Sequence, residues 1–329
     1  MHGLGGVGKT RLAVEYAWRH EADYSALLLV VADSPENLRR NLAALVGPLV
    51  LDLPEQEATE EEVREAAVLR WLHEHPGWFL ILDNIDTPEA ASAAEHLLAR
   101  LRGGSVLITS RLAQWSASVE PLELDVLAPE DAAQFLLERS ATTRRKRASD
   151  AVDAVALARE LDGLALALER AGAYVAHERT SLADYLAQWR AHVPAVQEWY
   201  DPRLMQYPRS LAVTWQTTLD RLGAGEIALL RILAWLAPDP VPMFVLEGEV
   251  AEEMWHEAIV LLRQESRESR EAAGELRAAL VTLANYSLLR WETKAQTVAV
   301  HRVIQDILRT RLTEQKRREW LGLSLRLVD

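Results

Sequence analysis

The sequence predicts an α/β fold: a parallel sheet flanked by helices, continued by an all-helical region and a small domain of helices and a hairpin. Three observations predict it. A phosphate-binding loop of the form G-x-x-x-x-G-K-[ST] runs Gly3, Leu4, Gly5, Gly6, Val7, Gly8, Lys9, Thr10. Helical and buried-strand patterns alternate as far as residue 125. Beyond it the strand signal stops until a pair of short strands near the carboxyl end.

Each element has its local reason. Leu12, Ala13, Tyr16 and Ala17 recur at helical spacing over residues 9–20, and the aliphatic run 26–31 reads as a buried strand. Ser34 and Pro35 supply a cap and a first-turn proline for a helix to about residue 46, and residues 60–75 repeat the pattern after an acidic linker. Residues 78–82 are the second strand, 88–102 a helix and 105–109 the third strand. In such sheets ligands lie beyond the carboxyl ends of the strands, where Asp83 and Arg111 fall.

Helices follow at 129–140, 150–161, 164–177 and 182–192, then at 210–222, 226–236, 252–263 and 275–286. Two strands at 288–291 and 297–300 and a helix over 302–312 complete a winged-helix pattern. The predicted organisation is a nucleotide-binding α/β domain over 1–125, a helical domain over 126–205, a winged-helix domain over 206–315, and the start of a helical repeat region over 316–329.

With 329 residues, 49% hydrophobic and 26% charged, the chain has the composition of a soluble protein of two or three domains. The absence of cysteine excludes disulfides and thiolate metal sites and fits a reducing compartment. No apolar run approaches a membrane span and Met1 leads straight into the phosphate loop, so a cytoplasmic location is expected. The net charge of −13 is carried mostly by residues 1–125, opposite to a nucleic-acid footprint. The basic run Arg144, Arg145, Lys146, Arg147 reads as a solvated loop, and the acidic and basic run over 265–271 as an exposed helix or loop. Abundant alanine, with arginine far outnumbering lysine, points to a GC-rich bacterial genome.

The chemistry follows from residue types. Glycines let successive N–H groups face a phosphate, Lys9 reaches the β and γ oxygens, and the Thr10 hydroxyl can ligand Mg²⁺. A helix opening near Lys9 adds its positive end. Phe79-Leu80-Ile81-Leu82-Asp83 is either a plain strand and turn or a Walker B strand whose Asp83 holds Mg²⁺ through water. The next position, where many ATPases carry a second carboxylate, is Asn84, and an amide cannot accept a proton from water. Slow hydrolysis is therefore expected, with Asp86 as the alternative base. Arg111 ends the third strand either as a surface arginine or as a sensor of the γ-phosphate. Asp162 reads as a cap for a helix starting at Gly163.

The phosphate loop, residues 80–83, Ser110-Arg111, the segment Leu161-Asp162-Gly163-Leu164-Ala165-Leu166-Ala167, and Val300-His301-Arg302 occur in an order that resembles the NB-ARC branch of the STAND signalling ATPases. The resemblance spans roughly residues 1–315. It implies ATP or ADP with Mg²⁺ among the three domains, gripped by Gly3, Gly5, Gly6, Val7, Gly8, Lys9, Thr10 and Arg11, with Ala165 and Leu166 in the segment that meets the adenine. His301 matches a histidine that contacts the ADP β-phosphate in that family, although the flanking methionine and aspartate are Val300 and Arg302 here. The family's segment G-L-P-L-A has Ala165 in place of proline, and the strand before the phosphate loop is represented only by Met1 and His2. The resemblance further implies a switch, off with ADP and on with ATP, that oligomerises when active. Its effector and sensor domains, often tetratricopeptide repeats in bacterial relatives, would lie outside this chain.

Two other functions share the loop. A winged-helix regulator would bind DNA, but its recognition region carries Glu252, Glu253, Glu257 and Glu275, which repel phosphate. A phosphoryl-transfer enzyme would need an acceptor pocket that no motif supplies.

Overall fold

The computed structural model describes residues 1–141, 147–191, 219–236, 239–265, 275–310 and 312–327. Most of the helix expected over 210–222, most of the basic run and most of the run over 265–271 lie outside them. The chain forms two compact units, one of Met1–Leu4 with Gly8–Leu124, the other of Gly5–Val7 with Asp125–Asp329.

In the first unit α1 (Lys9–Arg19), β1 (Leu27–Val31), α2 (Pro35–Ala43), α3 (Glu61–Glu74), β2 (Phe79–Asp83), α4 (Pro88–Arg100) and β3 (Ser105–Ile108) follow in order. The strands are parallel in the order β1-β2-β3, as the alternation of helix and strand predicts. β2 runs through the middle with Phe79, Leu80, Ile81 and Leu82 all buried, which is why its sequence is an unbroken apolar run. One face packs with α2, α3 and α4 around Trp78, Leu80 and Leu82, and the other packs with α1 around Ala13, Ala17, Phe79 and Ile81. Each of the leucine, isoleucine and phenylalanine side chains removed from water contributes about 1.5–3 kcal/mol, and each alanine methyl about 0.8 kcal/mol.

The local signals hold where they were clearest. Ser34 accepts a hydrogen bond from Asn37 N–H at 3.1 Å, and Thr87 caps α4 in the same way. The helix after Pro35 stops at Ala43 and tightens to a 3₁₀ turn over Ala44–Val46. Met1 and His2 extend the sheet beyond β3 and are bonded on both sides. Ser110 N–H donates to the Met1 carbonyl at 3.0 Å, and on the other side Leu124 N–H donates to the His2 carbonyl at 2.8 Å. The dipeptide thus forms parallel bridges with Ser110 and Glu123, in the position expected for the strand before the phosphate loop.

The second unit opens with α5 (Pro129–Ser140), α6 (Asp150–Glu160), α7 (Ala165–His177) and α8 (Leu182–Arg190). α7 is buried nearly all round, from Leu166 to Ala176, as its small apolar residues require. It begins one residue later than the pattern over 164–177 predicts, and Asp162 does not cap it. Asp162 and Gly163 instead have φ of 51° and 65°, a left-handed pair that turns the chain before the helix. A Cβ on Gly163 would lie 2.3 Å from the Leu127 carbonyl oxygen, so only glycine fits there.

Next come α9 (Ala224–Leu233), β4 (Val241–Pro242), α10 (Glu249–Glu265), α11 (Leu276–Asn285), β5 (Leu289–Glu292), β6 (Thr297–Val300), α12 (Arg302–Thr310) and α13 (Glu314–Arg326). β5 and β6 pair as the expected antiparallel hairpin, and β4 adds a third strand beside β6. At two residues, one of them proline, β4 is too short to leave a periodic signal. α13 buries Trp320 and Leu323 and bonds through Ser324 Oγ to the Ile232 carbonyl of α9 at 2.9 Å.

Candidate functional site: the phosphate loop and its carboxylates

The loop's glycines hold it in a shape other residues resist. Gly8, the residue before α1, has φ 107°, and no side chain caps the helix, so its first N–H groups remain available to an anion. Lys9 folds back on its own loop and donates to the Gly3 carbonyl at 2.7 Å and the Leu4 carbonyl at 3.0 Å. Its ammonium is enclosed while part of the side chain stays accessible. Burial brings its pKa down to about 8, with Arg111 pushing the same way and Asp86 and Asp83 opposing.

Asp83, at the carboxyl end of β2, gathers two threonine hydroxyls. Its Oδ1 accepts from Thr10 Oγ1 at 2.7 Å and from Thr109 Oγ1 at 2.6 Å. A threonine hydroxyl and a carboxylate in contact are hard oxygen donors of the kind Mg²⁺ takes, so the residues present fit that ion. Thr109 is the residue that sequence reasoning passes over. Its hydroxyl also accepts from Asn84 N–H at 3.0 Å, and a polar side chain at the end of an apolar strand beside the one that ends in Asp83 is the signal that finds it.

Asn84 adopts φ 67°, a left-handed conformation that asparagine tolerates better than most residues. Asp86 is buried. Its Oδ1 accepts from Arg111 N–H at 2.8 Å, and its Oδ2 lies 3.0 Å from Arg111 Nε. The structure therefore joins Asp86 to Arg111, two residues that the sequence alone does not connect. Arg11 stands apart on the exposed face of α1, 3.8 Å from Glu15.

In the second unit Val7 is buried, and Leu166 N–H, in the first turn of α7, donates to the Gly6 carbonyl at 2.9 Å. An otherwise orphan helix-end donor is thereby satisfied by the crest of the loop. Ala165 lies beside it at the start of the helix. His301 has both ring nitrogens engaged: Nδ1 accepts from Val303 N–H at 3.2 Å, which leaves Nε2–H facing the Asp162 carbonyl at 3.2 Å and carboxylate at 3.4 Å. Burial lowers its pKa and Asp162 opposes that. Around it Arg290 pairs with Asp125, and Glu160 meets both Arg302 at 3.7 Å and Arg190 at 2.7 Å.

Residues 217–317 match the model of a domain of unknown function, DUF7779, which covers β4–β6 and the helices around them. No curated protein matches the sequence. Two solved structures are similar along most of their length. One is a Walker-type ATPase of Pyrococcus abyssi, 13% identical, covering 93% of this chain and 89% of that one, with a TM-score of 0.57. The other is the ORC2 protein of Aeropyrum pernix, solved as ADPNP–ADP complexes, 14% identical, covering 94% and 87%, with a TM-score of 0.51. At such identities the likeness concerns the fold, which is that of a P-loop NTPase core followed by helices and a smaller domain of sheet and helix. Among the described residues no helix is long and apolar enough to cross a membrane.

Proposed function

We propose that the chain is a slow, nucleotide-gated switch ATPase that binds ADP or ATP with Mg²⁺. The observation that carries the reading is the loop itself: an uncapped helix start, an enclosed Lys9 and a Thr10–Asp83 pair, all at the carboxyl edge of a parallel sheet. Lys9 and the loop amides would hold the phosphates, and Thr10 with Asp83 would hold the metal, which shields phosphate charge when bound. The Walker-type ATPase and the nucleotide-bound ORC2 protein of similar fold favour the same ligand.

Slow turnover is supported by the absence of a carboxylate at position 84 and by the engagement of both Asp86 oxygens with Arg111, which occupies the carboxylate that would otherwise face an attacking water. Arg111 is assigned as sensor of the γ-phosphate. The resemblance to NB-ARC proteins assigns His301 to the β-phosphate in the ADP state. Such a contact would exchange Asp162 for phosphate at the ring, giving each nucleotide the differential contact a switch requires. Activation would end in homo-oligomerisation, with effector and sensor domains outside this chain, in the cytoplasm and without direct contact to nucleic acid. The glutamates of α10, Glu249, Glu252, Glu253 and Glu257, support that last point by repelling a phosphate backbone.

The test is the identity of the nucleotide that co-purifies with wild type and with Lys9→Ala, together with the turnover rate. ADP retained by wild type and lost from Lys9→Ala is expected. Equal affinity of the two for ADP and ATP, or rapid turnover without a stimulus, would refute the reading.

A further inference from the structure

Asp86 is a buried acidic group held against Arg111, one of the cations expected to meet phosphate. Its β2–α4 segment is stitched to the segment after β3: Ile85 N–H donates to the Thr109 carbonyl at 3.0 Å, Ser110 Oγ donates to the Ile85 carbonyl, and Leu112 N–H donates to Ser110 Oγ at 2.9 Å. On that frame Asp86 grips Arg111 twice, through the main chain and through the guanidinium, with side-chain exposures of only 9% and 12%. Its charge also reaches Lys9, where it is the largest influence opposing the effect of burial. Arg111 is thus bonded to this carboxylate, and Lys9 feels its charge.

We propose that Asp86 is a positioning residue that competes with the terminal phosphate for Arg111, and so sets how strongly the site distinguishes a nucleoside triphosphate from a diphosphate. The proposal rests on the nucleotide reading above and assigns Asp86 a role other than that of base. A diphosphate leaves the Asp86–Arg111 pair intact. A triphosphate has to draw the guanidinium away from a partner fixed at 3.0 Å, so part of the attraction of Arg111 for the γ-phosphate is offset by the pair it breaks. The main-chain bond from Arg111 N–H to Asp86 Oδ1 holds the strand end in place during the exchange.

Asp86→Asn tests this with little disturbance, because the amide oxygen still accepts from Arg111 N–H while the charge is gone. The affinities of ADP and of ADPNP, a non-hydrolysable triphosphate, are measured for wild type, Asp86→Asn, Arg111→Gln and the double variant, with thermal unfolding as the control for folding. The ratio of ADPNP to ADP affinity should rise about tenfold in Asp86→Asn, the scale of one charge-assisted contact. It should fall below wild type in Arg111→Gln, and Asp86→Asn should leave it unchanged in the Arg111→Gln background. Equal shifts for both nucleotides, or the full rise in the double variant, would overturn the proposal. Should Asp86→Asn fail to fold, Arg111→Gln decides alone: equal loss of both nucleotides overturns it. If wild type binds neither nucleotide, the functional reading fails and takes the proposal with it; binding of both with an unmoved ratio sinks the proposal alone.

Discussion

Raising the pH from 7.5 to 9 should weaken nucleotide binding by about eightfold, because Lys9 loses its proton in the empty site over that range. Burial brings the Lys9 pKa from 10.5 to about 8, so the folded protein disfavours the ammonium by about 3 kcal/mol relative to water. The lysine of the empty site is about three-quarters protonated at pH 7.5 and about one-tenth protonated at pH 9. A bound phosphate favours the ammonium and returns its pKa toward the ordinary value, so affinity is highest below pH 8 and falls as pH rises through it. The empty protein responds in the opposite sense and gains stability from this group between about pH 8 and 10.5, as the enclosed charge is relieved while the unfolded chain keeps its proton. Titration calorimetry at pH 8.5 in buffers of different ionisation enthalpy should show uptake of about three-quarters of a proton per nucleotide bound. Lys9→Arg, which stays charged, should abolish both the uptake and the pH dependence at whatever affinity remains. A flat affinity between pH 7.5 and 9 with no proton uptake would refute the reasoning.

Other outcomes follow from the same geometry. Gly8→Ala places a Cβ at φ 107° and should cost about 1–2 kcal/mol in urea unfolding, and more in nucleotide affinity than in stability. Thr109→Val removes the donor to Asp83 and the acceptor for Asn84 N–H. It should destabilise by about 1–3 kcal/mol and raise the Mg²⁺ concentration needed for half-maximal nucleotide binding, whereas Thr109→Ser should restore both. The lowered pKa of His301 means folding favours the neutral ring, so its contribution is complete above the unfolded value of 6.5 and is lost as pH falls through the folded value. Melting curves from about pH 7 down to about pH 5 should therefore fall more steeply for wild type than for His301→Gln. Leu80→Ala, at the centre of the sheet, should cost about 2–5 kcal/mol by chemical denaturation.

The sequence made legible whatever depends on local chemistry and left dark whatever depends on two distant segments meeting. The helix after Pro35 and the strand 79–83 announce themselves through a proline, a capping serine and an unbroken apolar run, and the observed ends differ by a few residues at most. The phosphate loop is equally plain, since its glycines answer to backbone angles. The pairing of Asp86 with Arg111 was not visible, because residues 25 apart meet only when parallel strands fix their register. Asp162 was misread as a cap for the same reason. Short polar residues before a helix usually serve that role, and only the tertiary turn at Gly163 shows that it faces His301 instead. The dipeptide Met1-His2 offers no periodicity at all, yet bridges on both sides place it within the sheet, between Ser110 and Glu123.

The meeting of Thr10 and Thr109 at one oxygen of Asp83 also fixes the polarity of a hydroxyl. An ionised carboxylate only accepts, so Thr10 spends its single hydrogen on Asp83 and turns its lone pairs to the remaining directions. A divalent cation arriving from the phosphates would then meet electron density with no proton in its path. An amide at position 83 can present N–H instead of a lone pair, rotate that hydroxyl and leave hydrogen where the metal needs oxygen.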